Sequence, residues 1–109
     1  MIKVLLACGA GMSSSLLLSR INKEINESEL DIIAQSVSST EIENFVNDID
    51  VLLLGPQLAH LFRYFKKEYE PYNIAVGVIS ISAYGNMDGK SVASQIVELN
   101  SQRRKTDNE

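Results

Sequence analysis

Four short apolar runs alternate along the chain with stretches whose apolar residues recur every three or four positions. "IKVLLA" (residues 2–7) and "VLLL" (residues 51–54) are continuous and rich in leucine, valine and isoleucine, the pattern of strands buried on both faces. "IAVGVISI" (residues 74–81) reads the same way, while "DIIAQSVS" (residues 31–38) is less apolar and suits a sheet edge. Helical spacing appears between these runs. Leu17, Ile21 and Ile25 mark a first helix, and Ile42, Phe45, Val46 and Ile49 a second, with Ser38 and Glu41 in capping-box register before it. Leu58, Leu61, Phe62, Phe65 and Tyr69 mark a third behind Pro56, a residue suited to a first helical turn. Val92, Ile96 and Leu99 mark the last. The order βαβαβαβα predicts an α/β fold: one domain with a four-stranded parallel sheet, helices on both faces and right-handed crossovers. No internal repeat or low-complexity linker interrupts it. The closing "SQRRKTDNE" (residues 101–109) is polar and aperiodic, and is expected to fray.

Composition narrows the function classes. A chain of 109 residues, 45% hydrophobic and 22% charged, has material for a single core, so residues 1–109 are read as one domain. A formal charge of -4 argues against nucleic acid or an anionic lipid surface as partner. The longest apolar runs fall well short of the about 20 residues that span a bilayer, so no membrane insertion is expected. The opening segment is too short in its apolar part for a signal peptide and reads as a strand, which places the expected site of action in the cytoplasm. A single cysteine excludes an internal disulfide and fits a reducing compartment.

That cysteine stands in the most informative stretch, "CGAGMSSS" (residues 8–15). Ligands of open parallel sheets sit beyond the carboxyl ends of the strands, and this loop follows the first strand and opens the first helix. Gly9 and Gly11 permit a backbone curled so that successive amides, those of Ala10 and Met12 included, face one anion. Ser13, Ser14 and Ser15 add hydroxyl donors at a helix N-terminus, where the dipole also favours negative charge. Cys8 borders this cradle. A helix N-terminus can pull a thiol from about 8.5 to roughly 3.5–7.5, so a partly or wholly ionised Cys8 is expected, able to attack phosphorus while the cradle holds the oxygens. Each part has an ordinary explanation too: cysteines are often buried, glycines turn, serines cap. Their combination within eight residues at this end of a parallel sheet favours function.

Rival motifs fail on particular residues. No lysine follows the glycines as a Walker A loop requires. In "GAGMSS" Ser14 stands where the dinucleotide fingerprint has its third glycine, and the second strand ends in "SVSS" without a ribose-binding acid. A nucleophile elbow would need glycine at Ser15. No recognised metal-ligand spacing occurs. Cysteine phosphatases read C-x5-R-[ST], and here the sixth residue after Cys8 is Ser14, so the arginine that grips the phosphoryl oxygens is missing. Without it a phosphorylated thiolate would hydrolyse slowly, which describes a carrier better than a hydrolase.

"VLLACGAGMSSSLL", "VLLLGPQLA" and "AYGNMDG" together resemble the enzyme IIB component of the lactose/cellobiose-type (chitobiose) phosphotransferase system, over residues 1 to about 100. The resemblance implies a cytoplasmic phosphotransferase component. Cys8 would take a phosphoryl group from a phosphohistidine of the IIA protein and pass it to a sugar bound by the membrane-embedded IIC permease, with Gly9 to Ser15 around the phosphoryl group and neither metal nor nucleotide required. The family loop often reads Ser-Thr-Ser where this chain has Ser13-Ser14-Ser15, a change that keeps the hydroxyl. The expected strand order is 2-1-3-4, in an architecture resembling low-molecular-weight phosphatases and flavodoxin-like proteins. A low-molecular-weight phosphatase or arsenate-reductase relative is the alternative enzyme, and a non-catalytic anion- or nucleotide-binding module the alternative from another class.

Three further residues are candidates for the rim. Gln57, after "GP", is balanced between a bond to a phosphoryl oxygen and an ordinary helix start. Tyr84 and Asp88 of "AYGNMDG" approach the same end of the sheet, although Asp88 better suits a helix cap; over Cys8 it would be the acid of a phosphatase. His60 shares a polar face with Arg63 and Lys67 and is expected in solvent, and "FRYFKKEY" reads as an outer charged face, with Arg63 or Lys66 as candidates to dock an acidic partner.

Overall fold

The computed structural model describes residues 1–8 and 12–103, the side chains of residues 12–14 excepted. Strand β1 (Ile2–Cys8) precedes helix α1 (Met12–Glu27), and β2 (Ile32–Ser38) is followed by a 3-10 segment, Ser39–Phe45. Strand β3 (Val51–Leu54) leads through a 3-10 turn, Pro56–Leu61, into α2 (Phe62–Tyr69); after Glu70–Tyr72 come β4 (Ala75–Val78), the short α3 (Ile81–Gly85) and α4 (Gly89–Ser101). One sheet results, in the order β2-β1-β3-β4 with every pair parallel, as expected.

Side chains alternate along a strand, so β1 sends Val4, Leu6 and Cys8 to one face and Leu5 and Ala7 to the other. On the first face they meet Leu17, Ile21 and Ile25 of α1, Val92 and Ile96 of α4, and Tyr84 of α3. On the second, Ile42, Val46, Leu58, Phe65 and Tyr69 cover Leu52, Leu54 and Val76. The inner strands β1 and β3 are therefore buried on both sides, which is why their sequences run apolar without alternation. At the edge, β2 leaves Ile33 exposed.

The crossover from β2 to β3 differs from expectation. Ile42 and Val46 are buried as their spacing requires, yet Ser39–Phe45 is a 3-10 segment and not an α-helix. Ser38 gives no side-chain cap; its hydroxyl pairs with Thr40 Oγ1 at 2.8 Å. The tighter coil suits a short connection, since it brings residues three apart onto one line. The fourth strand is also shorter than the apolar run. Ile79 is its last residue tied to β3, donating to the Leu54 carbonyl at 2.9 Å, and Ser80 then caps α3 by accepting from the Ala83 amide at 3.0 Å. Ile81 consequently lies outside the sheet and is 81% exposed.

Helices α1 and α4 touch at backbone level. A methyl group on Gly89 would stand 2.4 Å from the Arg20 carbonyl oxygen, so only glycine fits there. Helix α4 continues to Ser101, and Arg103 beyond it pairs with Asp50 at 3.4 Å and donates to Asn100 Oδ1 and the Asn73 carbonyl. The rest of the expected fray, residues 104–109, lies outside the described residues. Among the described residues no helix is long and apolar enough to cross a membrane.

Candidate functional site

In the order β2-β1-β3-β4 the chain leaves β1 toward one side and returns to β3 on the other. Helix α1 after β1 and the Pro56–Leu61 turn after β3 therefore lie on opposite faces of the sheet, and such a reversal of strand order is where open α/β sheets bind ligands. Cys8 is the last residue of β1, paired across from Ser38 of β2. Gly55 follows β3 and donates its N–H to the Ala7 carbonyl at 2.8 Å, which draws the start of the Pro56–Leu61 turn against the end of β1. A methyl built on Gly55 would lie 2.5 Å from Gln57 Oε1 and 3.0 Å from Cys8 Sγ. The Gln57 amide and the sulfur thus flank one point above a bare glycine. Gln57 is itself solvent-exposed and Gly55 buried.

Cys8 is only 4% exposed, and its electrostatics reverse the expectation of an ionised thiol. Burial among the side chains of α1, α4 and α3 penalises the anion and pushes the thiol above its ordinary value. The Tyr84 hydroxyl and the Gly55 backbone oppose this by favouring the thiolate, but desolvation is larger. At neutral pH the resting group is a thiol. Tyr84, 9% exposed, lies near enough to stabilise the anion yet closes no hydrogen bond in the resting structure: its Oη is buried without a partner among the described residues.

The remaining candidates separate by position. Asp88 caps α4, accepting from the Ser91 amide at 3.1 Å and from the Ser91 hydroxyl at 2.7 Å, and these bonds hold its carboxyl below the usual value. His60, Arg63 and Lys67 are exposed. Lys66, exposed as well, stacks its ammonium over the Phe62 ring at 5.6 Å. Gly9, Ala10 and Gly11 lie outside the described residues, as do the side chains of Met12, Ser13 and Ser14, whose backbone forms the first turn of α1; Ser15 is exposed in that helix. Among the described residues no three His, Cys, Asp or Glu side chains gather as a metal site would require. Gly55 escaped the reading of the sequence. Its signal was a glycine wedged between a fully buried strand and a proline, which reads as a plain turn until the neighbouring strand is known.

A doubly wound parallel sheet with its one cysteine at the reversal of strand order belongs with the small α/β proteins that hold ligands at that crevice. Sequence comparison narrows the class: residues 3–95 match the family "PTS system, Lactose/Cellobiose specific IIB subunit", and the chain belongs to that family, a phosphotransferase component of the lactose/cellobiose type. An oligo-beta-mannoside-specific EIIB component of Bacillus subtilis is 35% identical over 97 residues, covering 89% of this chain and 94% of its own. A galactose-specific EIIB component of Lactococcus lactis is 37% identical over 101 residues, covering 88% of this chain and 94% of its own. Among solved structures, the lactose-specific IIB domain of Streptococcus pneumoniae superposes with a TM-score of 0.80 at 23% identity, over 89% of this chain and 95% of that one, a likeness of fold. A cellobiose-specific IIB component from Borrelia burgdorferi gives 0.78 at 28% identity, over 96% of each chain.

Proposed function

We propose that this chain is a phosphocarrier: Cys8 accepts a phosphoryl group from a phosphohistidine of the matching IIA protein and delivers it to a sugar held by the IIC permease, on the cytoplasmic side. The observation that carries this reading is the placement of the chain's one cysteine at the end of β1, at the reversal of strand order, in a member of the lactose/cellobiose IIB family. The phosphoryl cradle would be Gly9 to Ser15, with Gln57 at its rim. Relatives named for an oligo-beta-mannoside, galactose and cellobiose support a cellobiose-, lactose- or chitobiose-like sugar, chosen by the permease.

A protonated resting thiol is compatible with this chemistry. Sulfur attacks phosphorus in line with the departing imidazole nitrogen; the S–P bond forms as the N–P bond breaks, nitrogen keeps the bonding pair, and the thiol proton ends on that nitrogen. Proton and phosphoryl group exchange places. Delivery repeats the exchange, as a sugar oxygen takes phosphorus, the S–P bond breaks, and the hydroxyl proton returns to sulfur. Burial supports the cycle twice over: the unloaded site holds no unpaired charge, and a more basic sulfur is the stronger nucleophile once its proton leaves. The hydrolase alternative draws less support. Ser14 stands where a phosphatase has its arginine, and the Asp88 carboxylate is committed to Ser91.

The test supplies the purified chain with phosphoenolpyruvate, the general phosphotransfer proteins and the matching IIA protein, and maps the modified residue by mass spectrometry. A stable phosphoryl group on Cys8, lost in Cys8→Ser, is expected. Modification at His60, or none, overturns the reading, and rapid turnover of an aryl phosphate would restore the phosphatase.

A further inference from the structure

Tyr84 carries a polar group that no described residue uses as a hydrogen-bond partner. Its ring packs in the same apolar cluster as Cys8, Leu17 and Val92, a task phenylalanine would perform equally well. The hydroxyl, by contrast, is buried with no hydrogen-bond partner among the described residues, and an unsatisfied buried hydroxyl disfavours the folded state. The neighbour it reaches is Cys8, whose thiolate it favours. A neutral thiol is a weak acceptor and offers such a hydroxyl little. A phosphoryl group on that sulfur would bring three strong acceptor oxygens to the same place.

The backbone holds Tyr84 in position. Ser80 caps α3 at the Ala83 amide, and the Tyr84 amide donates to the Ser80 carbonyl at 3.0 Å. The turn is closed behind it by Met87, at φ 51°, donating to the Tyr84 carbonyl, and by the Asp88 amide donating to the Ala83 carbonyl at 2.9 Å. Strand β4 aims this turn at the site, since Ile79 is still tied to Leu54 of β3 two residues before α3 begins. A tyrosine on so short and fully bonded a turn has little freedom to point elsewhere.

We propose that the Tyr84 hydroxyl is a donor held in reserve for a phosphoryl oxygen on Cys8, so that the site is complete only when loaded and the phosphoryl group is retained between its two transfers. This rests on Cys8 being the carrier residue. The hydroxyl then contributes to the loaded state and not to the empty one, and so shifts the position of the transfer equilibrium.

The experiment phosphorylates wild type and Tyr84→Phe with phosphoenolpyruvate, the general phosphotransfer proteins and the IIA protein, and measures the division of phosphoryl groups between IIA and Cys8. Loss of a hydrogen bond to a charged oxygen is expected to move that ratio about tenfold toward IIA, with the thiol titrating at higher pH and the unloaded variant melting no lower than wild type. In the wild-type chain, phosphorylation is also expected to shift the Tyr84 ring-carbon resonance next to the hydroxyl while those of exposed Tyr64 and Tyr72 stay in place; this measurement decides the matter should the variant fold poorly. An unchanged ratio and titration, or an unmoved Tyr84 resonance in a chain that does load Cys8, overturns the proposal. Wild type that takes no phosphoryl group on Cys8 overturns the carrier reading itself, and the proposal with it.

Discussion

Gly55 shows how one absent side chain shapes the site. The point its methyl would occupy is shared by the Gln57 amide at 2.5 Å and the Cys8 sulfur at 3.0 Å. Gln57 is exposed and can swing away, whereas Cys8 is fixed at the end of a buried strand. We therefore expect Gly55→Ala to fold with a loss of at most about 1 kcal/mol, because small changes at a yielding surface are tolerated, while crowding the sulfur lowers the rate of phosphoryl uptake by roughly tenfold or more. Urea unfolding and single-turnover transfer measure the two effects separately; equal rates in both proteins would show that the sulfur is approached from elsewhere. At this scale Cys8 was legible as the candidate nucleophile, because no other residue combined a nucleophile with the end of a first strand. Its protonation state was not. The sequence shows a helix N-terminus beside the sulfur, but not the burial that raises the thiol, which comes with a cluster that includes Val92 and Ile96, residues more than seventy positions away.

Two glycines distinguish how the elements pack. A methyl on Gly89 would press on the Arg20 carbonyl at 2.4 Å and the Ile21 amide nitrogen at 2.9 Å, both backbone, where neither helix can yield without moving. A methyl on Gly77 would meet Leu99 Cδ1 at 2.6 Å, the far end of a side chain that can rotate. We expect Gly89→Ala to cost about 1–3 kcal/mol and Gly77→Ala clearly less, measured by denaturant unfolding; equal losses would mean that α1 and α4 slide freely. The strands were readable almost to the residue where they are buried on both faces, since β1 and β3 have no polar side to confuse the pattern. The segment after β2 was readable in its buried positions and not in its coil. Ile42 and Phe45, three apart, fall on the same side of the coil whether the turn has three or 3.6 residues, so periodicity over so short a span does not separate the two. Ser38 looked like a cap until Thr40 offered its hydroxyl a nearer partner.

Stability of the whole molecule should fall on the alkaline side. The Cys8 thiol is raised by burial, and the Tyr69 phenol by burial and then by the charges of Glu43 and Glu68. Both groups hold their protons more tightly folded than unfolded, so their contribution is complete below about pH 8.5, the ordinary thiol value, and is lost as pH rises through the folded values. Urea midpoints recorded from pH 7 to 10.5 are expected to decline above that onset, and Cys8→Ser to postpone the decline toward the phenol range near about pH 10. A flat profile for wild type would contradict the burial of both groups. The class of fold, its buried strands, the family and the candidate nucleophile could all be read from the order of residues alone, because alternation, apolar runs and a compact motif are local properties that survive in one dimension. The company that sulfur keeps belongs to the folded chain. Parallel strands joined by crossovers bring residues 8, 55, 57 and 84 to one end of the sheet, and the desolvation, the bare glycine and the buried hydroxyl without a partner among the described residues exist only once those distant segments are packed together.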